Sequence, residues 1–314
     1  MRSVGAVPNK RMRHRSNSSL RASGPVDLAG HGVWTASVVV RTRLAVLLAG
    51  AMVAGASSSY GQAPVIPVRD FGQSVIGAYE GWYPNPDGSF TLLAGYFNRN
   101  KEEQLDIPVG ANNRIEPGGP DRGQPTHFLP RRQWGVFTIT VPADFGDNVL
   151  TWTLTANGQS TSIPLKLDPQ WAIEPLEDAA MGNAPPTVRF KEGGVAVQGP
   201  PRVVAASFET SVGDPLALPL WVADDFYLRP TASAATTRPP LGVGWSKFRG
   251  QGEVTFDDAQ PEVPETGGLV TVVATFDNAG EYLLRAEVTD TTGRGGGGSQ
   301  CCWTTAHVLV TVRP

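Results

Sequence analysis

Short segments in which apolar and polar residues alternate fill the chain from residue 64 onward, and Gly, Pro, Asn and Asp separate them. In the segment VLTWTLT, Leu150, Trp152 and Leu154 share one face of an extended strand, because successive side chains of a strand point to opposite faces. No long window shows a sustained helical period. The pattern predicts an all-β chain of the sandwich type.

Two groups of these segments are separated by a Pro-rich, acidic stretch without either period. The first group lies at 89–100, 104–110, 134–142, 149–158 and 160–167. The Asn-Gly pair at 157–158 predicts a tight hairpin between its last two strands, and residues 112–125 are predicted to form a loop. We therefore expect an N-terminal β-sandwich over residues 64–168, a linker over 169–183 and a C-terminal β-sandwich over 184–314.

The second group carries a recognisable closing hairpin, TVVATFDNAGEYLLRAEVTDTTG, in which Gly280 and Tyr282 begin the last full strand of the run. Before it, VGWSKFRGQGEVTF supplies Trp245 as a core aromatic residue. This region, roughly 184–314, resembles the PKD or cadherin-like immunoglobulin-type β-sandwich, and the chain looks like bacterial secreted proteins of unassigned function. The resemblance implies two consecutive immunoglobulin-like domains with a binding or spacing role. It carries over no catalytic residue.

The N-terminal part of the chain has the features of an export signal. Arg41 and Arg43 precede the apolar run LAVLLAGAMVAG, and Gly61 and Ala63 suit the small-residue positions of a cleavage site. At about 1.5 Å per residue this run is too short to cross a bilayer core of roughly 30 Å. We expect a cleaved signal peptide within residues 1–63 and a secreted or periplasmic protein without stable membrane insertion; an uncleaved anchor is the alternative.

Residues 1–40 are too long for an ordinary n-region, which indicates either a basic leader or a start codon placed too far upstream. Without residues 1–63 the chain keeps 18 Lys and Arg against 28 Asp and Glu, a net charge of −10. Phosphate neutralisation supplies most of the affinity of nucleic-acid binding proteins, so an acidic chain without a basic stripe argues against a nucleic-acid partner.

The only two cysteines, Cys301 and Cys302, are neighbours in QCCWTTAHVLVTV. In a regular strand they would face opposite ways, with the even-numbered residues of this segment on the core side. Three states are compatible with an oxidising compartment: a vicinal disulfide at the start of the strand, bonds to another chain, or free thiols.

Few residue sets in the chain are suited to metal binding or catalysis. Zinc is disfavoured because only His127 and His307 follow the signal segment, in different predicted domains. Calcium is the one cofactor with candidate ligands, since Asp224, Asp225 and Asp290 fall at predicted strand ends; ordinary acidic turns are the alternative. No Gly-x-Ser-x-Gly, Walker or dinucleotide motif occurs.

Aromatic residues around a predicted turn are the last candidates. Trp82 and Tyr83 in GAYEGWYPNPDGSF would suit a sugar-binding surface if exposed, or would pack at the end of the sandwich or against the second domain if buried. We expect a non-catalytic exported module that binds or spaces, with a protein or polysaccharide of the cell envelope as partner. The competing hypotheses are a carboxylate-dependent, glycosidase-like hydrolase and a structural subunit of an envelope assembly.

Overall fold

In the computed structural model, the paired strands form two β-sandwiches. The structure describes residues 69–178, 182–225, 241–290 and 301–314, so the predicted signal peptide and start-codon assignment lie outside the described residues. Both sandwiches belong to one compact unit. Within the described ranges, no helix has the length and apolar character needed to cross a membrane.

Within residues 69–178, the first sandwich is built from eight strands. They are β1 (Val75–Pro84), β2 (Phe90–Asn98), β3 (Leu105–Asp106), β4 (Asn113–Glu116), β5 (His127–Phe128), β6 (Arg131–Val141), β7 (Leu150–Ala156) and β8 (Gln159–Leu165). The sheet β1-β2-β6 faces the sheet β4-β7-β8, which is the A-B-E and C-F-G arrangement of an immunoglobulin fold. Strands β3 and β5 form a separate pair.

The predicted hairpin between β7 and β8 is confirmed. Asn157 and Gly158 connect the strands and both have positive φ, as a type I′ turn requires. Leu150, Trp152 and Leu154 are buried as their alternation predicts. The Trp152 ring meets the Phe137 ring edge-on from the opposite sheet, which joins the two layers of the core.

The prediction that residues 112–125 form only a loop was wrong, because β4 lies within them and pairs with β7. Its buried Asn113 accepts from the Trp152 indole N–H at 3.0 Å and donates to the carbonyls of Ile107 and Pro125 at 2.9 and 2.8 Å. A four-residue strand is too short to show a periodic pattern. Side-chain hydrogen bonds across the sheet anchor it instead.

In residues 182–225, 241–290 and 301–314, the second sandwich has nine strands. They are β9 (Thr187–Arg189), β10 (Val197–Gln198), β11 (Val204–Ser211), β12 (Leu216–Ala223), β13 (Gly242–Arg249), β14 (Val254–Phe256), β15 (Gly268–Phe276), β16 (Gly280–Thr289) and β17 (Trp303–Arg313). One sheet has the order β10-β9-β12-β15-β14 and the other β11-β17-β16-β13. These orders contain the A-B-E-D and G-F-C strand sets of the immunoglobulin fold.

Two side chains of the second sandwich match hallmarks of that fold. Trp245 on β13 is buried in the core, and the Tyr282 hydroxyl at the start of β16 donates to the Asn278 carbonyl at 2.9 Å. This bond has the form of the tyrosine corner between strands E and F. The predicted all-β class and the immunoglobulin-type resemblance are confirmed by the strand orders and these two residues.

After β8 the chain stays in contact with the first sandwich before it continues to the second. A single 3-10 turn, Pro169–Trp171, follows β8, and Ala172 bridges to Trp82. The Trp82 indole donates to the Asp168 carbonyl at 2.7 Å and the Tyr79 hydroxyl to the Lys166 carbonyl at 2.6 Å. The start of the connecting segment therefore lies along β1.

Candidate functional site

Buried charges hold the two sandwiches together where β6 meets β16. Arg285 on β16 is only 4% exposed. It donates to the Gln133 side-chain oxygen at 3.1 Å and the Trp134 carbonyl at 2.8 Å, and it forms an ion pair with Glu287 of its own strand. Because a buried guanidinium is costly unless it is paired, these partners in both sandwiches fix their relative position.

A buried carboxylate approaches the same part of β6 from the first sandwich. Glu80 on β1 is 2% exposed and accepts from the Arg132 guanidinium and the Gly135 backbone N–H, both at 2.7 Å. Burial raises the pKa of Glu80, and the charge of Arg132 opposes that shift. The register of β1 with β2 shifts between Tyr79 and Gly81. Glu80 therefore lies at a local irregularity of the sheet.

Gly135, which donates to Glu80, is also in close contact with the Trp303 side chain. Its φ is +52°, and a Cβ atom built there would lie 2.2 Å from Nε1 of the buried Trp303 on β17. Only a residue without a side chain fits at this distance.

We expect Gly135→Ala to lower the free energy of unfolding by about 2 kcal/mol, because overpacking a filled interface forces side chains or backbone to move. Urea denaturation measures the loss. Gly146→Ala is the matched control, since Gly146 has φ +53° but its nearest atom would be 3.8 Å away. Equal losses in the two variants would mean that backbone conformation, not the Trp303 contact, sets the cost.

His307 on β17 also contacts β6, at the junction between the two sandwiches. Its Nε2 donates to the Val136 carbonyl at 3.1 Å, and its ring packs on the Phe248 ring with 4.2 Å between centroids. Burial lowers its pKa from 6.5 to about 4, and the nearby Arg285 charge adds to the shift. The imidazole is therefore neutral at physiological pH and serves as a hydrogen-bond donor.

A second ionic cluster joins β3 and β5 to β13. Asp106 accepts from the buried Lys247 ammonium, and its other polar contact is His127 Nδ1 at 2.9 Å. Lys247 also donates to the Gly252 carbonyl at 2.9 Å. Partial burial opposes the shift, but the bonds from His127 and Lys247 lower the pKa of Asp106, so the carboxylate stays charged.

The loop after β4 adds a third attachment. Asp121 receives two hydrogen bonds from the Arg249 guanidinium at 3.1 and 2.8 Å, and Arg249 also donates to the Gln124 carbonyl. Bidentate pairs of this kind fix orientation as well as distance. This pair is therefore a further polar attachment between the sandwiches, besides the Arg285 and Lys247 clusters.

The two cysteines are joined as a disulfide immediately before β17. Both are buried, and their sulfur atoms lie 3.5 and 3.3 Å from the Asn183 carbonyl oxygen. The even-numbered residues of β17 from Ala306 onward face the core of the second sandwich, as predicted. The odd-numbered face, with Trp303 and His307, packs on the first sandwich.

The calcium candidates lie directly after β12 and β16, and their role as calcium ligands stays a prediction. Asp290 is buried and accepts from the Asn183 side-chain amide at 2.7 Å, while Asp225 is exposed and Asp224 half-buried after β12. In the described part of the chain, no three His, Cys, Asp or Glu side chains converge on a position that would hold a metal ion.

The aromatic candidates are covered more than a sugar platform would be. Tyr83 is 4% exposed and lies beneath the Arg202 guanidinium, 5.7 Å from the ring centroid. Trp82 is half-buried, with its ring edge-on to Phe90. The structure thus places them in the packed arrangement that the sequence left open as the alternative.

A carboxylate-dependent hydrolase would need paired acids, and neighbouring acids stand at 102–103, 224–225 and 257–258 of the sequence. Two of these side chains accept hydrogen bonds from backbone N–H groups. Glu103 accepts from the Gly72 N–H at 2.8 Å, and Asp257 accepts from the Val273 and Asp258 N–H groups, each at 2.8 Å. Sequence reasoning missed Arg285, Glu287 and Glu80. A charged pair on one face of a strand ordinarily indicates solvent, so the sequence carries no direct signal for their burial.

No protein-family model and no curated protein matches the chain. Solved structures with some likeness include domains 4 and 5 of the S-layer protein SbsC, at 10% identity and a TM-score of 0.23, over 77% of this chain and 98% of that one. The D00-D0 domain of intimin gives 11% and 0.25 over 76% and 100%. A titin immunoglobulin tandem gives 12% and 0.20 over 76% and 97%. The fold assignment rests on the strand orders described above.

Proposed function

We propose that this protein is an exported, non-catalytic module that binds or spaces in the cell envelope or outside the cell, and that its two sandwiches act as one rigid body. The junction is the observation that carries the proposal. Arg285 of β16 is buried and donates to the Gln133 side chain and the Trp134 carbonyl of β6, so these bonds exist only while the two sandwiches stay together. A fixed spacing is what such a module needs.

Export is supported by two features of different kinds. The segment before residue 64 has the charge, apolar length and small residues of a cleaved signal. The Cys301–Cys302 disulfide is a bond that persists in oxidising compartments and is rare in the cytosol. The partner that fits this setting is a protein or polysaccharide of the envelope.

Residual dipolar couplings from the purified protein test the rigid-body proposal. We expect one alignment tensor to fit the amides of β1–β8 and β9–β17 together. Two tensors of different orientation or magnitude would contradict it. N-terminal sequencing of the protein recovered from culture fluid or periplasm tests export, with a start near residue 64 as the expected result and recovery only from cytosol as the contrary one.

A further inference from the structure

A polar cavity of about 310 Å³ opens beside the junction, on the surface of the sheet β1-β2-β6. It is lined by Asn85, Pro86, Asp87, Ser89, Thr91, Thr138, Thr140 and Arg202. All but Arg202 belong to the first sandwich, and Arg202 comes from the segment between β10 and β11 of the second. The cavity is therefore complete only when the sandwiches are joined.

Its walls carry hydroxyl and amide groups set among the aliphatic atoms of Pro86 and the threonine side chains. Thr91 on β2 stands opposite Thr140 on β6, and Thr138 shares the face of Thr140. The Thr91 hydroxyl and the Asn85 amide already bond each other at 2.9 and 3.1 Å, which holds them in place. The Thr140 hydroxyl can donate and accept, and the Thr91 and Thr138 oxygens can still accept, so this surface matches a ligand whose own edge is a row of hydroxyls.

Among the described residues, Arg202 supplies the only cationic side chain of the lining. The Thr138 hydroxyl donates to the carbonyl of neighbouring Pro201, which fixes the segment that bears Arg202. No carboxylate of the described residues forms an ion pair with Arg202, although the chain after residue 63 carries ten more acidic than basic residues. A guanidinium left unneutralised in an acidic protein favours an external carboxylate, which it can bind with two parallel hydrogen bonds.

Asp87 contributes a negative charge to the lining, opposite in sign to that of Arg202. Its Oδ1 accepts from the Ser89 hydroxyl at 2.6 Å and the Ser89 N–H at 3.0 Å, and these bonds lower its pKa. A charged carboxylate accepts hydrogen bonds from ligand hydroxyls and repels anions. The anionic group of a ligand therefore belongs at Arg202 and its hydroxyls at the Asp87 and threonine side.

We infer that this cavity binds a uronic acid residue of an acidic polysaccharide, with its carboxylate on Arg202 and its hydroxyls on the threonine and Asp87 wall. The inference rests on the proposed binding function and adds the ligand class and the site. The inference also explains why the two sandwiches are held in a fixed orientation. Any rotation between them would carry Arg202 away from Thr138 and Thr140.

Titration of the purified protein with trigalacturonate, followed by calorimetry, tests the assignment. We expect Arg202→Gln to weaken binding at least tenfold and Arg202→Lys to weaken it less, because lysine keeps the charge but loses the bidentate geometry. Thr140→Val should weaken binding by a few fold. Arg69→Gln is the matched control, since it removes the same charge from an exposed position outside the cavity and should leave affinity unchanged.

Two further probes separate sugar recognition from charge alone. Neutral maltotriose and a glutamate tripeptide should each bind at least tenfold more weakly than trigalacturonate. Equal binding of the peptide, equal effects of Arg202→Gln and Arg69→Gln, or absence of trigalacturonate binding would each overturn the inference. A single alignment tensor in the same sample would show that the rigid module stands even where the ligand assignment fails.

Discussion

Replacing Arg285 by methionine is expected to lower the free energy of unfolding by about 3 to 5 kcal/mol, the usual cost of removing one partner from a buried ion pair. The change takes away the cation that contacts Glu287 and leaves the Trp134 carbonyl and the Gln133 side chain without their donor. Urea denaturation followed by tryptophan fluorescence measures the loss. Arg285→Lys, which keeps the charge, serves if the methionine variant does not fold.

The matched control is Arg313→Met at the end of β17. Arg313 forms an ion pair with Glu209, but both side chains are more than 60% exposed, and such pairs contribute about 0 to 1 kcal/mol. The double variant Arg285→Met with Glu287→Leu should regain much of the loss, because an apolar pair of similar volume replaces the ion pair without leaving a charge. A loss at Arg285 no larger than at Arg313 would show that the junction does not depend on the buried cluster.

Acidification from pH 7 to pH 4 is expected to cost about 3 kcal/mol of stability through His307 alone. Its folded-state pKa of about 4 lies below the unfolded value of 6.5, so the unfolded chain takes up a proton in this range while the folded chain does not. The stabilising contribution is therefore complete above pH 6.5 and is lost as pH falls toward 4. Glu80 acts in the opposite direction, because its pKa is raised in the folded state.

His307→Gln isolates this contribution. Glutamine keeps an N–H donor toward the Val136 carbonyl but does not titrate, and every other group is common to both proteins. We expect the stability difference between the wild type and the variant to change by about 3 kcal/mol across the window in urea titrations at successive pH values. A constant difference from pH 7 to pH 4 would contradict the assignment of a neutral, buried His307.

The regular strands could be read from local sequence. Alternation in VLTWTLT and the Asn-Gly pair located β7, β8 and their turn, and Tyr282 with Gly280 located the start of β16. Strands with short or irregular patterns could not be read. In β4, Asn113 is held by hydrogen bonds to residues distant in sequence, and β1 contains a register shift that interrupts its alternation.

The candidate site was harder to predict than the fold. Arg202 lies in a short Pro-rich connection, and nothing in its neighbours in sequence indicates that Thr138 and Thr140 lie beside it. Tyr83 was considered as an exposed aromatic residue, but the approach of Arg202 and the surrounding segments covers it. Both outcomes depend on contacts between residues more than sixty positions apart.

The sequence alone determined the all-β class, the two immunoglobulin-type sandwiches and the core-facing residues of their long strands, because strand alternation and turn residues act over a few neighbours. Only the tertiary structure decided what covers the other face of each sheet. Arg285, Glu287 and His307 alternate with core residues as solvent-facing residues would, but all three are largely buried. Arg285 and His307 are covered because β6 of the first sandwich packs on them, and Glu287 is paired with Arg285. Polarity marks a face as outside its own core, but it does not distinguish water from a second domain.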